Sequence, residues 1–348
     1  MTSSSQPIVA VTFGDASGIG PELVAKLLTR PDVLAAAKIV LVGDPWVWAE
    51  GQRVAQLAPM VRPIHDWASA RAGTDDMPMF LATDTVAEAE VVRGQVTAAA
   101  GRGARAALTL CLDAVIRRDI DAICFAPLNK QALKKGGMAF EDELHFFADY
   151  LGVTNYFCEF NTLGTLWTSR ISSHVPLSAV TKLVTRDRIK DAAKLTERML
   201  HRAGFTAPRI GLAALNPHGG DGGTCGREEI DIIEPAAREL NAEGLAILGP
   251  YPADTIFLKA RDGLLDAIVT MYHDQGQVAL KLMGFERGVT VQGGLPVPIA
   301  TPAHGTAFDI AGLNRANVEA TAQAFLLAAR LGAGYRASGQ VFDEELVP

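Results

Sequence analysis

Cysteine is scarce in this chain of 348 residues, and its four cysteines form no C-x-x-C pair. This excludes a disulfide framework or a zinc ribbon and is typical of free thiols in a reducing compartment. The chain also lacks any run of about 18 apolar residues, so no membrane-spanning helix is predicted. The apolar stretch at 8–13 is too short for a signal peptide. Together these absences predict a cytoplasmic protein.

Positively charged residues are also fewer than negatively charged ones. The chain has 32 lysines and arginines against 39 acidic residues, which gives a formal net charge of −7. Such a balance lacks the electrostatic footprint expected for binding nucleic acid or an anionic membrane. It does not exclude an anionic small molecule, because a cleft can be locally basic. The length predicts two domains or one two-lobed unit.

Short apolar runs alternate with longer helical patterns along the chain. This alternation predicts an α/β fold with a largely parallel sheet. The predicted strands are 8–13, 38–43, 122–126, 209–215 and 267–271, and the predicted helices are 21–28, 104–117, 230–241 and 318–331. Ligands bind such sheets at the carboxyl ends of the strands. The segments that follow predicted strands are therefore candidates for one site: 14–22, 127–130, 216–223 and 273–276, with 249–254 as a further wall.

Three histidines follow strand-like runs. They are His174 in Ser-Ser-His-Val-Pro, His218 in Asn-Pro-His-Gly-Gly and His273 in Tyr-His-Asp-Gln-Gly. Three imidazoles that leave one coordination position open describe a catalytic divalent-metal site. No local spacing such as H-E-x-x-H joins the three, so a hydrogen-bonded structural histidine is the alternative for each one taken singly.

Four charged residues near these segments are candidates for a role in chemistry. Asp254 and Asp274 would orient metal ligands or contact the substrate. Lys130 and Lys281 would transfer protons or bind a carboxylate. The alternative for each of them is a solvated or salt-bridged surface side chain.

The segment 304–312 reads His-Gly-Thr-Ala-Phe-Asp-Ile-Ala-Gly. Small residues with a single carboxylate can wrap an adenosine, with Asp309 on the ribose hydroxyls, although the pattern by itself also suits an ordinary loop. The glycine-rich turn at 14–22 is not a G-x-G-x-x-G sequence, so a Rossmann fingerprint is not predicted.

Four motifs occur together and in one order between about Val9 and Leu331. They are Gly14-Asp15-x-x-Gly18-Ile19-Gly20-Pro21-Glu22, Asn216-Pro217-His218, Tyr272-His273-Asp274-Gln275-Gly276 and His304-Gly305-Thr306-Ala307. In this combination the chain resembles the 4-hydroxythreonine-4-phosphate dehydrogenase (PdxA) family. The resemblance implies two α/β/α lobes with an interdomain cleft, like isocitrate and isopropylmalate dehydrogenases. Residues 1–134 and 285–348 would form the lobe with the NAD-binding loop, and 135–284 the lobe with the metal ligands and the dimer interface.

The resemblance also implies the cofactors and several roles. It implies NAD, a divalent metal (zinc first, with cobalt, manganese and magnesium as alternatives) and a homodimer with a shared active site. His174, His218 and His273 match the metal ligands, one of them donated across the dimer, and Lys281 matches a substrate-binding lysine. The adenosine-binding loop is matched by His304, Gly305, Thr306, Ala307 and Asp309. The base would be Lys281 or a water held by Asp274.

At the substrate positions this chain departs from the family pattern. Glu143 and Leu144 stand where the pattern has His-Thr, Thr290 stands for an asparagine, and Ile299 stands for an arginine. Isoleucine cannot make the two-pronged contact of arginine with phosphate, and a glutamate repels a dianion. These residues predict a non-phosphorylated substrate. Since relatives in the resembled family oxidise cis-dihydrodiol carboxylates from aromatic degradation, the resemblance then implies oxidative decarboxylation of a non-phosphorylated hydroxy acid of that kind. The alternatives are a 4-hydroxythreonine-4-phosphate dehydrogenase of pyridoxal phosphate biosynthesis, an acyl-phosphate transferase and a non-catalytic binding protein.

Overall fold

The computed structural model describes residues 6–72 and 77–338, and the chain divides into two compact units. Unit 1 comprises Met1–Thr154 and Leu295–Pro348, and unit 2 comprises Asn155–Gly294. Both units contain parallel strands alternating with helices, so the predicted α/β class is confirmed. No helix in the described part of the chain is both long and apolar enough to cross a membrane.

The strands of unit 1 lie in the order β3-β4-β2-β1-β5-β12, and all their pairings are parallel. Numbered along the chain, they are β1 (Ile8–Thr12), β2 (Lys38–Gly43), β3 (Arg62–Ile64), β4 (Met79–Ala82), β5 (Ala122–Phe125) and β12 (Ile299–Pro302). The central strands β1 and β5 are buried along their whole length. That burial is expected for parallel strands covered on both faces, and it explains their continuous apolar runs.

The helices of unit 1 begin at recognisable signals. They are α1 (Gly20–Leu27), α2 (Pro31–Ala36), α3 (Pro45–Ala55), α4 (Trp67–Ala72), α5 (Ala98–Ile116), α6 (Lys130–Lys135), α7 (Glu143–Tyr150) and α13 (Glu319–Ser338). Proline stands in the first turn of α1, α2 and α3, where its missing N–H is not needed. Helix α5 begins six residues before the predicted 104–117 helix, because the Thr97 hydroxyl accepts the Ala100 N–H and caps it.

Unit 2 has the strand order β11-β6-β7-β10-β8-β9. Its strands are β6 (Cys158–Leu163), β7 (Leu166–Arg170), β8 (Ile210–Ala213), β9 (Ile247–Tyr251), β10 (Ala267–Thr270) and β11 (Val289–Gly293). Its helices are α8 (Leu177–Leu183), α9 (Arg186–Arg202), α10 (Glu234–Ala242), α11 (Ala253–Arg261) and α12 (His273–Gly284). Strands β7, β10, β8 and β9 are mutually parallel neighbours, whereas β6 is antiparallel to both β7 and β11. Four adjacent carboxyl ends therefore meet at one edge.

The unit boundaries differ from the predicted ones on both sides of unit 2. Residues 135–154 belong to unit 1, because α7 packs on its sheet: the Phe147 ring lies 5.9 Å from the Phe125 ring of β5. Residues 285–294 belong to unit 2, because β11 pairs with β6 there. Hydrophobic periodicity finds these elements but does not indicate which sheet each one joins.

Candidate active site

The three candidate histidines follow adjacent parallel strands of unit 2. His174 follows β7, His273 follows β10 and His218 follows β8, while Asp254 follows β9. Neighbouring parallel strands end at the same edge of a sheet, which is where α/β folds bind ligands. The strand order therefore places all four residues at one edge of unit 2.

His174 and His273 lie close together, with their ring centroids 5.8 Å apart and the ring planes 42° apart. A pocket of about 270 Å³ opens beside them and is lined by both imidazoles, Tyr272, Asp274 and apolar side chains of α8. His273 Nδ1 lies 2.7 Å from an oxygen of Asp274. A carboxylate on one ring nitrogen orients a histidine and leaves the other nitrogen for a metal. The pair therefore fits two positions of a metal site.

His218 is not brought into one group with the other two. Across residues 6–72 and 77–338, no set of three His, Cys, Asp or Glu side chains lies close enough to hold one ion. His218 is exposed on the segment that follows β8, one strand beyond His273. A single chain thus gathers two of the three predicted ligands.

The segment that carries His218 is a left-handed turn. Five consecutive residues, 218–222, have φ between 46° and 81°. Glycine adopts this conformation readily, whereas a non-glycine residue is strained there by about 1–3 kcal/mol. His218 and Asp221 both carry that strain. Gly220 has a second constraint, since a Cβ there would lie 2.8 Å from the Glu229 carboxylate.

The base of this turn is held by Glu229, a residue that sequence reasoning missed. Its side chain is buried and accepts the backbone N–H groups of Leu215 (2.7 Å) and Asn216 (2.8 Å), together with the Asn216 side-chain amide (2.9 Å). Burial alone would raise the pKa of Glu229, but these hydrogen bonds hold it below its usual value. Glu229 is therefore an ionised clamp under the turn.

A buried arginine lies beneath the segment of His174. Arg170 forms an ion pair with Glu159 (2.7 Å) and donates hydrogen bonds to the Ser173 hydroxyl (3.0 Å) and the Asn161 amide oxygen (2.7 Å). Thr290, a predicted substrate contact, accepts a hydrogen bond from the amide of Asn161 (3.0 Å). Its hydroxyl is therefore engaged in this internal network.

Helix α12 aligns three polar residues along one face. His273, Gln277 and Lys281 are spaced by four residues, so they share that face. Lys281 is exposed about two turns from His273. Helical side chains lean toward the helix N-terminus, which brings the long lysine side chain back toward His273. This arrangement suits an extended substrate with its reacting carbon at the histidines and a charged group at Lys281.

The remaining predicted substrate and proton-transfer residues belong to unit 1. Lys130 is exposed at the start of α6. Burial would raise the pKa of Asp142, but hydrogen bonds from His145 and the nearby charge of Lys130 hold it below its usual value. Glu143 and Leu144 follow directly and are buried in α7. Ile299 is fully buried in β12. Leu144 and Ile299 are thus packing residues of this unit.

The predicted adenosine loop packs against the turn before α1. The carbonyl of Thr306 accepts the Ile19 N–H (3.1 Å), and a Cβ on Gly18 would lie 2.8 Å from the Thr306 Cβ. His304 Nε2 is buried without a hydrogen-bond partner in the described part of the chain, and burial lowers the pKa of His304. An orphaned ring nitrogen together with the exposed carboxylate of Asp309 fits a polar ligand such as an adenosine.

The negative charge of Asp15, in the same turn, destabilises the folded state. Asp15 is 1% exposed, and burial raises its pKa to about 6 although one oxygen accepts the Ser17 N–H. An acid whose pKa is raised by folding destabilises the fold when it is ionised. The cost is absent below a pH of about 3.8, grows between about 3.8 and 6, and is complete above that.

We therefore expect Asp15→Asn to stabilise the protein at about pH 8 by up to roughly 3 kcal/mol and to change little at about pH 4. Denaturant unfolding at both pH values measures this. Equal effects at the two pH values, or a loss of stability at about pH 8, would show that the Asp15 charge is well accommodated.

Two α/β units, a pair of histidines at strand ends and a loop suited to adenosine are features expected of the class of metal-assisted, dinucleotide-dependent enzymes. Comparison with known families then places the chain within it. The model of the family "Pyridoxal phosphate biosynthetic protein PdxA" matches residues 35–328, and the chain belongs to this family. It is an NAD-dependent dehydrogenase.

Relatives of known name cover nearly the whole chain. A Pseudomonas aeruginosa protein named "Putative 4-hydroxythreonine-4-phosphate dehydrogenase 2" is 49% identical, over 95% of this chain and 99% of its own. The structure of a 4-hydroxythreonine-4-phosphate dehydrogenase from Klebsiella pneumoniae is 31% identical with a TM-score of 0.83, covering 95% and 99% of the two chains. A terephthalate 1,2-cis-dihydrodiol dehydrogenase structure from Burkholderia xenovorans LB400 has a TM-score of 0.63 at 29% identity, covering 90% and 94%.

Proposed function

We propose that this enzyme uses NAD to oxidise a phosphorylated hydroxy acid of the 4-hydroxythreonine-4-phosphate type, with a divalent metal held by His174, His273 and His218. The observation that carries the proposal is the His174–His273 pair beside its pocket in unit 2. A bound divalent ion would polarise the substrate hydroxyl and lower its pKa. Zinc suits three imidazoles, and cobalt, manganese and magnesium are the alternatives.

Other residues of the chain would accept the proton, bind the substrate and hold the cofactor. Asp274 orients the His273 ring and lies at the rim of the pocket, where it can hold a water that accepts the hydroxyl proton. Lys281, on the same face of α12, would bind the charged end of the substrate. The loop at 304–309 would hold the adenosine of NAD, with Asp309 on the ribose. When bound there, NAD would supply the acceptor for the hydride of the carbinol carbon.

The comparisons favour a phosphorylated substrate over the non-phosphorylated, decarboxylated one expected from the sequence. The relative and the structure with the stronger similarity both carry the phosphorylated compound in their names, and the dihydrodiol dehydrogenase is structurally more distant. The structure also weakens the argument for a non-phosphorylated substrate that rested on Leu144 and Ile299. Leu144 and Ile299 are buried in unit 1, so their apolar nature is explained by packing.

The shared homodimeric site remains part of the proposal. Its support is that the described residues of one chain gather only two of the three histidines. A site with three imidazoles then requires either a shift of the turn around His218 or a ligand from a second copy. The family resemblance favours the second copy.

A matched pair of substrates tests the proposed function. With NAD and metal, NADH formation from 4-hydroxythreonine-4-phosphate should reach a kcat/KM of about 10⁴ M⁻¹s⁻¹ or more. The dephosphorylated compound should be about 100-fold poorer, because it lacks charge-assisted hydrogen bonds worth about 1.5–3 kcal/mol each. Preference for the dephosphorylated compound or for a cis-dihydrodiol carboxylate would reject the proposal.

The same assay tests whether Lys281 binds the phosphate of the substrate. Lys281→Ala should raise KM for the phosphorylated compound about tenfold, since it removes one charged contact. Lys194→Ala, on helix α9 of the same unit and paired with Glu243, is the control and should leave KM unchanged. Equal effects of the two variants would show that Lys281 does not contact the substrate.

A further inference from the structure

Gln275, in the first turn of α12, uses both ends of its side-chain amide to join two backbone segments. Its oxygen accepts the Met271 N–H at 2.7 Å, and its nitrogen donates to the Ala214 carbonyl at 2.7 Å. The side chain is half-buried, so water competes little for these bonds.

The two joined segments are the ones that carry candidate metal ligands. Met271 follows β10 and precedes His273 by two residues, while Ala214 follows β8 and precedes His218 by four residues. The amide therefore fixes the separation of the two ligand-bearing segments at a point beyond the last ladder pairing of β10 with β8, Val269 with Leu212.

Met271 also connects to the third ligand-bearing segment. Its carbonyl accepts the Ser172 hydroxyl at 2.7 Å, and Ser172 precedes His174 by two residues. Met271 is thus bonded through its N–H to Gln275 and through its carbonyl to Ser172. Through this junction the amide of Gln275 is linked to all three histidine segments.

We propose that Gln275 is a positioning residue that fixes the His174–His273 pair by anchoring Met271, which joins their two segments, to the end of β8 at Ala214. This inference rests on the metal site of the proposed function and holds whichever copy of the chain supplies His218. The position requires one donor and one acceptor on the same planar group, which an amide supplies. A glutamate retains the acceptor for Met271, but it places a carboxylate against the Ala214 carbonyl, where two acceptors repel. A methionine of similar length loses both bonds.

Asn241 offers a matched control within unit 2. Its amide makes the same two kinds of bond, accepting the Ile247 N–H (2.9 Å) and donating to the Ile247 carbonyl (3.0 Å). It joins the end of α10 to the start of β9, which is the end of the strand remote from the histidines. Like Gln275→Glu, Asn241→Asp therefore replaces the donating amide nitrogen with an acceptor, but at a place where no metal is expected.

Titration of the metal-free protein with Co²⁺ tests the proposal, with the visible absorption of bound Co²⁺ as a readout independent of activity. Gln275→Glu should bind Co²⁺ about 10- to 100-fold more weakly, the usual loss when a group that orients metal ligands is removed. Gln275→Met should lose at least as much, and both variants should show an altered Co²⁺ spectrum. Asn241→Asp should match the wild type in Kd and spectrum.

The possible failures are distinguishable. Wild-type Co²⁺ affinity in both folded Gln275 variants, or an equal loss in Asn241→Asp, would overturn the positioning role while leaving the metal site intact. A wild-type protein that binds no Co²⁺ would instead overturn the metal site of the proposed function, and the positioning role with it. If Gln275→Glu unfolds, Gln275→Met, which introduces no charge, decides the matter in the same titration.

Discussion

Replacing His273 with alanine is expected to abolish tight metal binding and to reduce kcat/KM at least about 100-fold. The reason is that the His273 ring lies close to that of His174 and that its Nδ1 is bonded to Asp274, which leaves Nε2 for a metal. Groups that only orient a metal ligand are already worth about 10–100-fold, so loss of a ligand should cost more. Metal analysis of the purified variant and NADH formation measure the two effects.

His201→Ala is the control for this variant. His201 is exposed near the end of α9 and bonds the Phe205 carbonyl, so its loss should change neither metal content nor turnover. The fold of His273→Ala should persist, because the side chain is partly exposed and contributes little to the core. Full activity or full metal content in His273→Ala would remove the histidine from the site.

Replacing Glu229 with alanine is expected to lower the free energy of unfolding strongly. Glu229→Ala leaves the backbone N–H groups of Leu215 and Asn216 without their acceptor at a position that is 1% exposed, whereas the Asn216 side-chain amide retains its bond to Glu228 (2.7 Å). An unsatisfied buried donor costs about 1–3 kcal/mol, so we expect a total loss of about 3–5 kcal/mol in the free energy of unfolding. Urea denaturation of the metal-free protein measures it.

Glu234→Ala serves as the comparison for Glu229→Ala. Glu234 begins α10 nearby, but it is exposed and pairs with Arg238 one turn later. Its removal should cost less than about 0.5 kcal/mol, as is usual for surface positions. A loss below about 1 kcal/mol in Glu229→Ala would mean that the turn around His218 holds its conformation without the clamp.

The sequence was sufficient for the elements that carry the site. Continuous apolar runs predict β8 and β10 to within two residues at each end, and the histidine segments follow them as expected. What the sequence could not show is the strand order. His174 and His273 are 99 residues apart, and they meet because β7 lies beside β10 rather than beside β8, the next strand along the chain.

Residue roles that depend on tertiary packing also could not be predicted from the sequence. Substitution of an arginine by Ile299 looked like the loss of a phosphate ligand, yet a fully buried isoleucine is equally explained by the core of unit 1. Glu229 gave no signal, because its importance comes from a left-handed turn that folds back onto it. Gln275 lies within a recognised motif, but its two partners are visible only once β8 and β10 are neighbours.

The measurement that tests the histidine metal centre most directly is the X-ray absorption spectrum of the enzyme loaded with one equivalent of zinc or cobalt. A histidine metal centre predicts a first shell dominated by imidazole nitrogens at about 2.0–2.1 Å, with three histidines per ion. It also predicts that this signature loses an imidazole in His174→Ala, His218→Ala and His273→Ala alike. A shell made of oxygen atoms alone, or an unchanged spectrum in any of these three variants, would contradict the histidine metal centre.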